Sequence, residues 1–249
     1  MLNGSFTVFD RAGSVQTQTT DASFWLSTDP GNAQLQSIIA TGLSDPRIIY
    51  DPTSQRWFAT EISIGQTPTP SQPNPPNQIL VAVSNTSNPL DGFKSVYFNS
   101  SPANLATSQF NFGDFPTLGV TANSIVIGTN NFPSNGGEEG LGNANGVSIF
   151  SLPKSDLLLQ TGPSIAKMMS FNNLPLSQGW TPETATNFGP GKATVLRTLP
   201  LPPGDYHTTI TSTQITSSGL TRLISSSLMF GGQPHAGRHA AGRRTLRSS

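Results

Sequence analysis

The 249-residue sequence has no cysteine. Disulfide staples, thiolate nucleophiles, iron–sulfur clusters and cysteine-ligated zinc are therefore excluded. Charge is also scarce. Asp, Glu, Lys and Arg make up 10% of the residues, against roughly 25% in an average globular chain. No apolar run approaches the roughly 18 residues that cross a bilayer as a helix. Met1-Leu2-Asn3-Gly4 leads directly into the strand-like Phe6-Thr7-Val8-Phe9, with no signal-peptide pattern. If the protein is exported, its signal lies outside this sequence.

The missing charge is replaced by 31 serines and 28 threonines. Hydroxyl and β-branched side chains suit strands and turns and are poor in helix interiors. The 24 glycines and 21 prolines interrupt the chain too often for long helices. Helix is expected to be almost absent, with Ser155–Leu159 the one place for a short turn of it.

The formal net charge of zero is unevenly spread. Residues 1–230 carry thirteen acids against nine bases, and residues 231–249 carry Arg238, Arg243, Arg244 and Arg247 with no acid. An acidic body offers no basic field to nucleic acid, so no nucleic-acid partner is expected. The tail, built of Gly, Ala, Arg and Ser without apolar period, reads as a disordered basic end.

Self-comparison reveals a repeat. A strand followed by a turn recurs at Phe6–Asp10, Leu80–Ser84 and Val147–Ser151, starting 74 and 67 residues apart. A hairpin opening on a proline recurs at Asp45–Thr60, Phe115–Gly128 and, more loosely, Thr181–Leu196, with the prolines 70 and 66 residues apart. The two units interleave, so each repeat holds four short strands, the composition of a propeller blade. The expected fold is therefore all-β, a partial β-propeller built from four-stranded antiparallel blades. The blades fall at about 44–100, 113–172 and 179–230, preceded by a half blade at 3–27. Each proline is placed at the first residue of its strand. Trp57 is expected to be buried between blades, with Phe58 and Tyr50 on alternating faces.

Asp45–Glu61, Gln78–Pro89 and Asp114–Phe132 carry phrases such as Asp-Pro-Arg-Ile-Ile-Tyr-Asp-Pro, Ile-Leu-Val-Ala-Val-Ser-Asn-Thr-Ser-Asn-Pro and Phe-Pro-Thr-Leu-Gly-Val. Over residues 3 to about 195 the chain resembles a largely uncharacterised group of secreted bacterial β-propeller-like proteins. The resemblance implies an extracellular or cell-surface location and is silent about activity. The Asp51…Trp57 hairpin is similar to the Asp-box turn of sialidase-type propellers, although the usual Gly and Thr are missing. That resemblance implies structural roles: Asp51 capping the turn and Trp57 packing between blades.

Propellers receive ligands where loops enter their innermost strands. Blade symmetry would bring Asp45, Arg47, Asp114 and Glu183 towards one central opening. Acids gathered there could bind a cation or act in glycoside hydrolysis. They could equally cap the turns that precede the strands. Glu138 and Glu139, in a loop rich in Gly and Asn, offer oxygens to Ca²⁺ but lack the spaced ligands of a regular calcium loop. No other cofactor motif is present. His207, His235 and His239 are the only histidines. The last two are spaced like helical zinc ligands, in a tail with no helical pattern. No Gly-x-Ser-x-Gly elbow appears. Residues 1–196 contain only Arg11, Arg47 and Arg56, of which only Arg47 sits at a strand entry, so a sialidase arginine cluster is not assembled.

The leading expectation is a non-enzymatic extracellular or surface-associated propeller that binds a glycan or a protein. The alternative is a sialidase-like glycoside hydrolase or a lyase whose active site is incomplete in this chain. A purely structural repeat is the third reading. Blades bury their faces only against neighbours, so a three-and-a-half-blade arc is also expected to self-associate.

Overall fold

The computed structural model describes residues 1–65, 76–102, 110–134, 144–189, 193–198, 210–216 and 219–222. Among them, a hairpin of β1 (Phe6–Phe9) and β2 (Val15–Thr19) comes first. Two helices follow, α1 (Asp21–Thr28) and α2 (Ala33–Ile39). The first four-stranded sheet contains β3 (Leu43–Asp51), β4 (Arg56–Ser63), β5 (Gln78–Ser84) and β6 (Phe93–Asn99). The second contains β7 (Phe110–Val120), β8 (Ser124–Ser134), β9 (Gly146–Pro153) and β10 (Met169–Leu174). The third contains β11 (Trp180–Ala185), β12 (Ala193–Thr198), β13 (Ile210–Thr216) and β14 (Gly219–Arg222). A one-turn helix, α3 (Lys154–Leu157), follows β9 and overlaps Ser155–Leu159, where a short turn of helix was expected.

Each four-stranded sheet is an antiparallel meander in chain order, and the three share that order. They stack face to face with β3, β7 and β11 adjacent. This is a partial β-propeller built from four-stranded antiparallel blades. Alternation decides which side chains fill the gaps between them. Phe58, Ile62, Val81 and Val83 of the first blade pack with Leu118, Val120, Ile125, Ile127 and Phe150 of the second. Val126 and Ile149, on the other face of the second blade, pack with Ala193, Val195 and Ile215 of the third. The third blade approaches so closely that a Cβ on Gly128 would lie 2.4 Å from the Pro182 carbonyl oxygen.

The near-absence of helix is not what forms. Thr20 caps α1 by accepting the Ser23 N–H, and Asn32 caps α2 by accepting that of Leu35. Both helices cover the outer face of the first blade. Phe24, Trp25, Leu35, Ile38 and Ile39 bury Ala59, Leu80 and Ala82 together with Phe6 of β1. The first blade therefore has no bare face on that side.

Nor are the prolines at strand starts. Pro46, Pro116 and Pro182 lie inside β3, β7 and β11, each at a β-bulge between Ser44 and Arg47, Asp114 and Thr117, or Trp180 and Glu183. A bulge is the one interior site where a missing N–H costs no ladder bond.

Trp57 is half-buried rather than enclosed between blades. Its ring lies 5.0 Å from that of Tyr50, and its Nε1–H donates to the Ser87 carbonyl at 3.0 Å. Phe58, one residue on, is fully buried between the first two blades. Phe58→Ala is therefore expected to cost about 3–5 kcal/mol, as core aromatic truncations do. Trp57→Ala should cost distinctly less. Chemical denaturation of both variants checks the order, and an equal or larger loss at Trp57 would contradict this packing.

Candidate functional site

The three bulges are built alike. The residue before each proline has left-handed backbone: φ is 57° at Asp45, 51° at Phe115 and 48° at Thr181. Such a conformation is costly for any residue but glycine and persists only where its surroundings enforce it. Each two-residue bulge faces a single residue on the next strand: Glu61, Thr129 and Arg197. All three are polar and buried.

Hydrogen bonds from the preceding unit hold two of the bulges. Asn3 Oδ1 accepts the Asp45 N–H at 2.9 Å, and Asn130 Oδ1 accepts the Thr181 N–H at 2.9 Å. The residues after the first two prolines reach the next blade. Arg47 Nε donates to the Pro116 carbonyl at 3.3 Å, and Thr117 Oγ1 donates to the Pro182 carbonyl at 2.6 Å. Glu183 is the third member of that series.

Of the four candidates Asp45, Arg47, Asp114 and Glu183, the first three lie at the neighbouring bulges of β3 and β7. Asp45 is half-buried in the first bulge and Asp114 half-buried beside the second. Asp114 Oδ1 accepts the Phe115 N–H at 2.8 Å, so it does cap its own bulge. Its carboxyl is nonetheless raised above the ordinary aspartate range. Burial is the main cause, the Phe115 N–H opposes it, and the negative charge of Asp45 adds to it. Arg47 is exposed, and its guanidinium carbon stands 4.9 Å from the centre of the Phe115 ring. Phe115 itself remains 37% exposed. Glu183 is exposed at the third bulge and shares no hydrogen bond or ion pair with the other three.

A carboxyl not anticipated from the sequence lies beneath this surface. Glu61 is wholly buried, its Oε2 accepts the Trp25 Nε1–H at 2.6 Å, and its acidity is shifted to about 8. Burial dominates that shift. The Trp25 bond opposes it, and Asp21 and Asp45 add to it. Asn3, which accepts the Asp45 N–H, and Phe115, which faces Arg47, are likewise not among the residues expected from the sequence.

Asp51 caps its turn by accepting the N–H groups of Thr53 and Ser54. It also pairs with Lys154 of the second blade at 2.5 Å, both side chains being buried. Burial alone would raise the Asp51 carboxyl. Bonds from Lys154, Ser54 and Thr53 bring it below its ordinary value. Glu138, Glu139, His207, His235 and His239 lie outside the described residues. Among the described residues, no three His, Asp or Glu side chains are grouped to hold a metal ion. None of the helices among them is long and apolar enough to cross a membrane. An apolar cleft of about 530 Å³, lined by Phe6, Val8, Ile48, Trp57 and Leu90, opens between the β1–β2 hairpin and the first blade, towards the other end of β3.

No family model matches the chain, and no curated protein matches it. Among solved structures, an alpha-L-arabinofuranosidase (CtGH43) from Clostridium thermocellum ATCC 27405 is 15% identical over 72% of this chain and 49% of its own length, with a TM-score of 0.36. The chain spans about half the length of that enzyme.

The Asp45–Asp114 coupling can be measured directly. Asp45→Asn is expected to lower the Asp114 titration midpoint, because a neighbouring negative charge has been removed. Carbon-13 carboxyl titration reads it. An unmoved or raised midpoint would show that the two groups do not share a site.

Proposed function

We propose that this chain is a non-enzymatic propeller that binds a glycan at the mouth formed by its first two bulges. The observation that carries this reading is the juxtaposition of Asp45, Asp114, Arg47 and the exposed face of Phe115 at one end of the innermost strands. Carboxylates accept paired hydroxyl hydrogens, and an arginine donates to ring and hydroxyl oxygens. An aromatic ring offers an apolar platform to the C–H face of a sugar. Sequence and surface support an extracellular or cell-surface setting: the hydroxyl-rich, charge-poor composition suits it, and so does the resemblance to secreted propeller-like proteins.

Binding is favoured over catalysis by the position of Glu61. It is the most strongly proton-retaining carboxyl among the described residues, and it is wholly buried, out of reach of a substrate. A hydrolytic second reading rests on Asp114. Burial makes its carboxyl hold a proton more tightly than an ordinary aspartate, and a general acid needs such a proton.

Glycan-array screening followed by calorimetry tests the proposal. Phe115→Ala and Asp45→Asn are each expected to weaken binding of a captured glycan by about tenfold or more, roughly one lost charge-assisted bond or aromatic contact. Undiminished binding by both variants would remove the mouth from consideration. Release of free sugar from the captured glycan, abolished by Asp114→Asn, would replace binding with hydrolysis.

A further inference from the structure

We propose that Glu61, Asp21 and Trp25 form a proton-held clasp that fixes the first bulge, and with it Asp45, at the mouth, and that opens when the proton is lost. The clasp joins β4 to α1. Glu61 Oε2 accepts the Trp25 indole N–H at 2.6 Å. Oε1 is buried and meets no N–H or O–H donor, and the Asp21 carboxyl is the neighbour that adds to the retention of its proton. Two carboxyl oxygens can bond only through a proton. Asp21 already accepts the N–H groups of Ala22 at 2.6 Å and Gly4 at 2.8 Å, so each of its oxygens is in use as an acceptor. The shared proton therefore resides on Glu61 Oε1 and is donated to Asp21.

From there the linkage reaches the mouth. Gly4 is held by Asp21, and its neighbour Asn3 accepts the N–H of Asp45, the left-handed residue of the bulge that Glu61 opposes. Among the described residues, no ion pair would compensate an ionised Glu61. The charged groups that face it are Asp21 from α1 and Asp45 from β3, with Asp114 of β7 beyond Asp45. β5 and α2 carry no charged residue. Arg47 is turned towards Phe115 and Pro116. Loss of the proton leaves two buried carboxylates in contact among further acids, a repulsion relieved by moving α1 away from β4.

Burial sets where this happens. Glu61 holds its proton to about pH 8, well above its ordinary value of 4.5. The folded chain then binds more protons than the unfolded chain between those values. Stability must fall as pH rises across that window and level off above it. Opening of the clasp itself is confined to the upper end of the window.

The test compares the intact chain with Glu61→Gln. The carboxamide can still accept from Trp25 and donate to Asp21, with no ionisable proton. Amide-exchange protection at Gly4, Ala22 and Asp45 is measured by NMR from about pH 6 to about pH 10. In the native chain, protection should drop by about tenfold or more as pH passes the Glu61 midpoint, while Glu61→Gln stays flat. Parallel behaviour of the two proteins, or no drop in either, would overturn the clasp. Should Glu61→Gln fail to fold, carbon-13 titration of the Glu61 carboxyl in the native chain decides. A midpoint near pH 8 that coincides with movement of the Asp45 amide supports the clasp. A midpoint in the ordinary glutamate range overturns it.

Discussion

At the same place in the first strand of three successive blades, a residue preceding proline is held in left-handed backbone, and the rest of the architecture is arranged around that constraint. Proline removes one ladder donor, and the bulge absorbs the loss by letting two residues face one. The strain of the left-handed residue is offset by polar neighbours: Asn3 and Asn130 take the N–H groups at Asp45 and Thr181, while Asp114 takes that of Phe115. The bulge also turns the proline carbonyl of one blade towards the preceding one, where Arg47 or Thr117 bonds it. One local irregularity thus supplies the joints between blades and the placement of side chains at the mouth.

A second constraint is that a blade cannot leave a broad apolar face in water. Between blades, Phe58 and its neighbours meet this need. At the outer face of the first blade, a strand pair and two short helices meet it instead. This cap is held by more than apolar contact, because its Trp25 reaches the buried Glu61 behind the first bulge. Cap and first bulge are therefore joined through Trp25 and Glu61.

Much of the blade architecture was legible because it repeats. Two interleaved units of about 70 residues each can be satisfied by one arrangement of four short strands. The prolines at 46, 116 and 182 marked equivalent places even though their role, bulge rather than strand start, was misjudged. The helices are hidden from composition, because Ser, Thr, Gly and Pro averaged over the whole chain mask two short capped segments. Asn32 as a cap, Leu35, Ile38 and Ile39 at helical spacing and Gly42 beyond them are a sufficient local signal for α2. In the site, Asp45, Arg47 and Asp114 could be found by equivalence. Glu61 could not, since nothing in a strand of alternating Phe, Thr and Ile shows that its one acid is enclosed by a helix from elsewhere in the chain.

The central claim is that Asp45 and Thr181 are forced into left-handed backbone by a shared bulge. Glycine adopts that backbone freely and weakens ordinary strand positions by roughly 0.5–1 kcal/mol. The most direct measurement is the stability of four variants by chemical denaturation: Asp45→Gly, Thr181→Gly and, as extended neighbours, Arg47→Gly and Glu183→Gly. The account predicts that the first pair is neutral or stabilising and the second pair destabilising. Equal destabilisation at all four positions would contradict it.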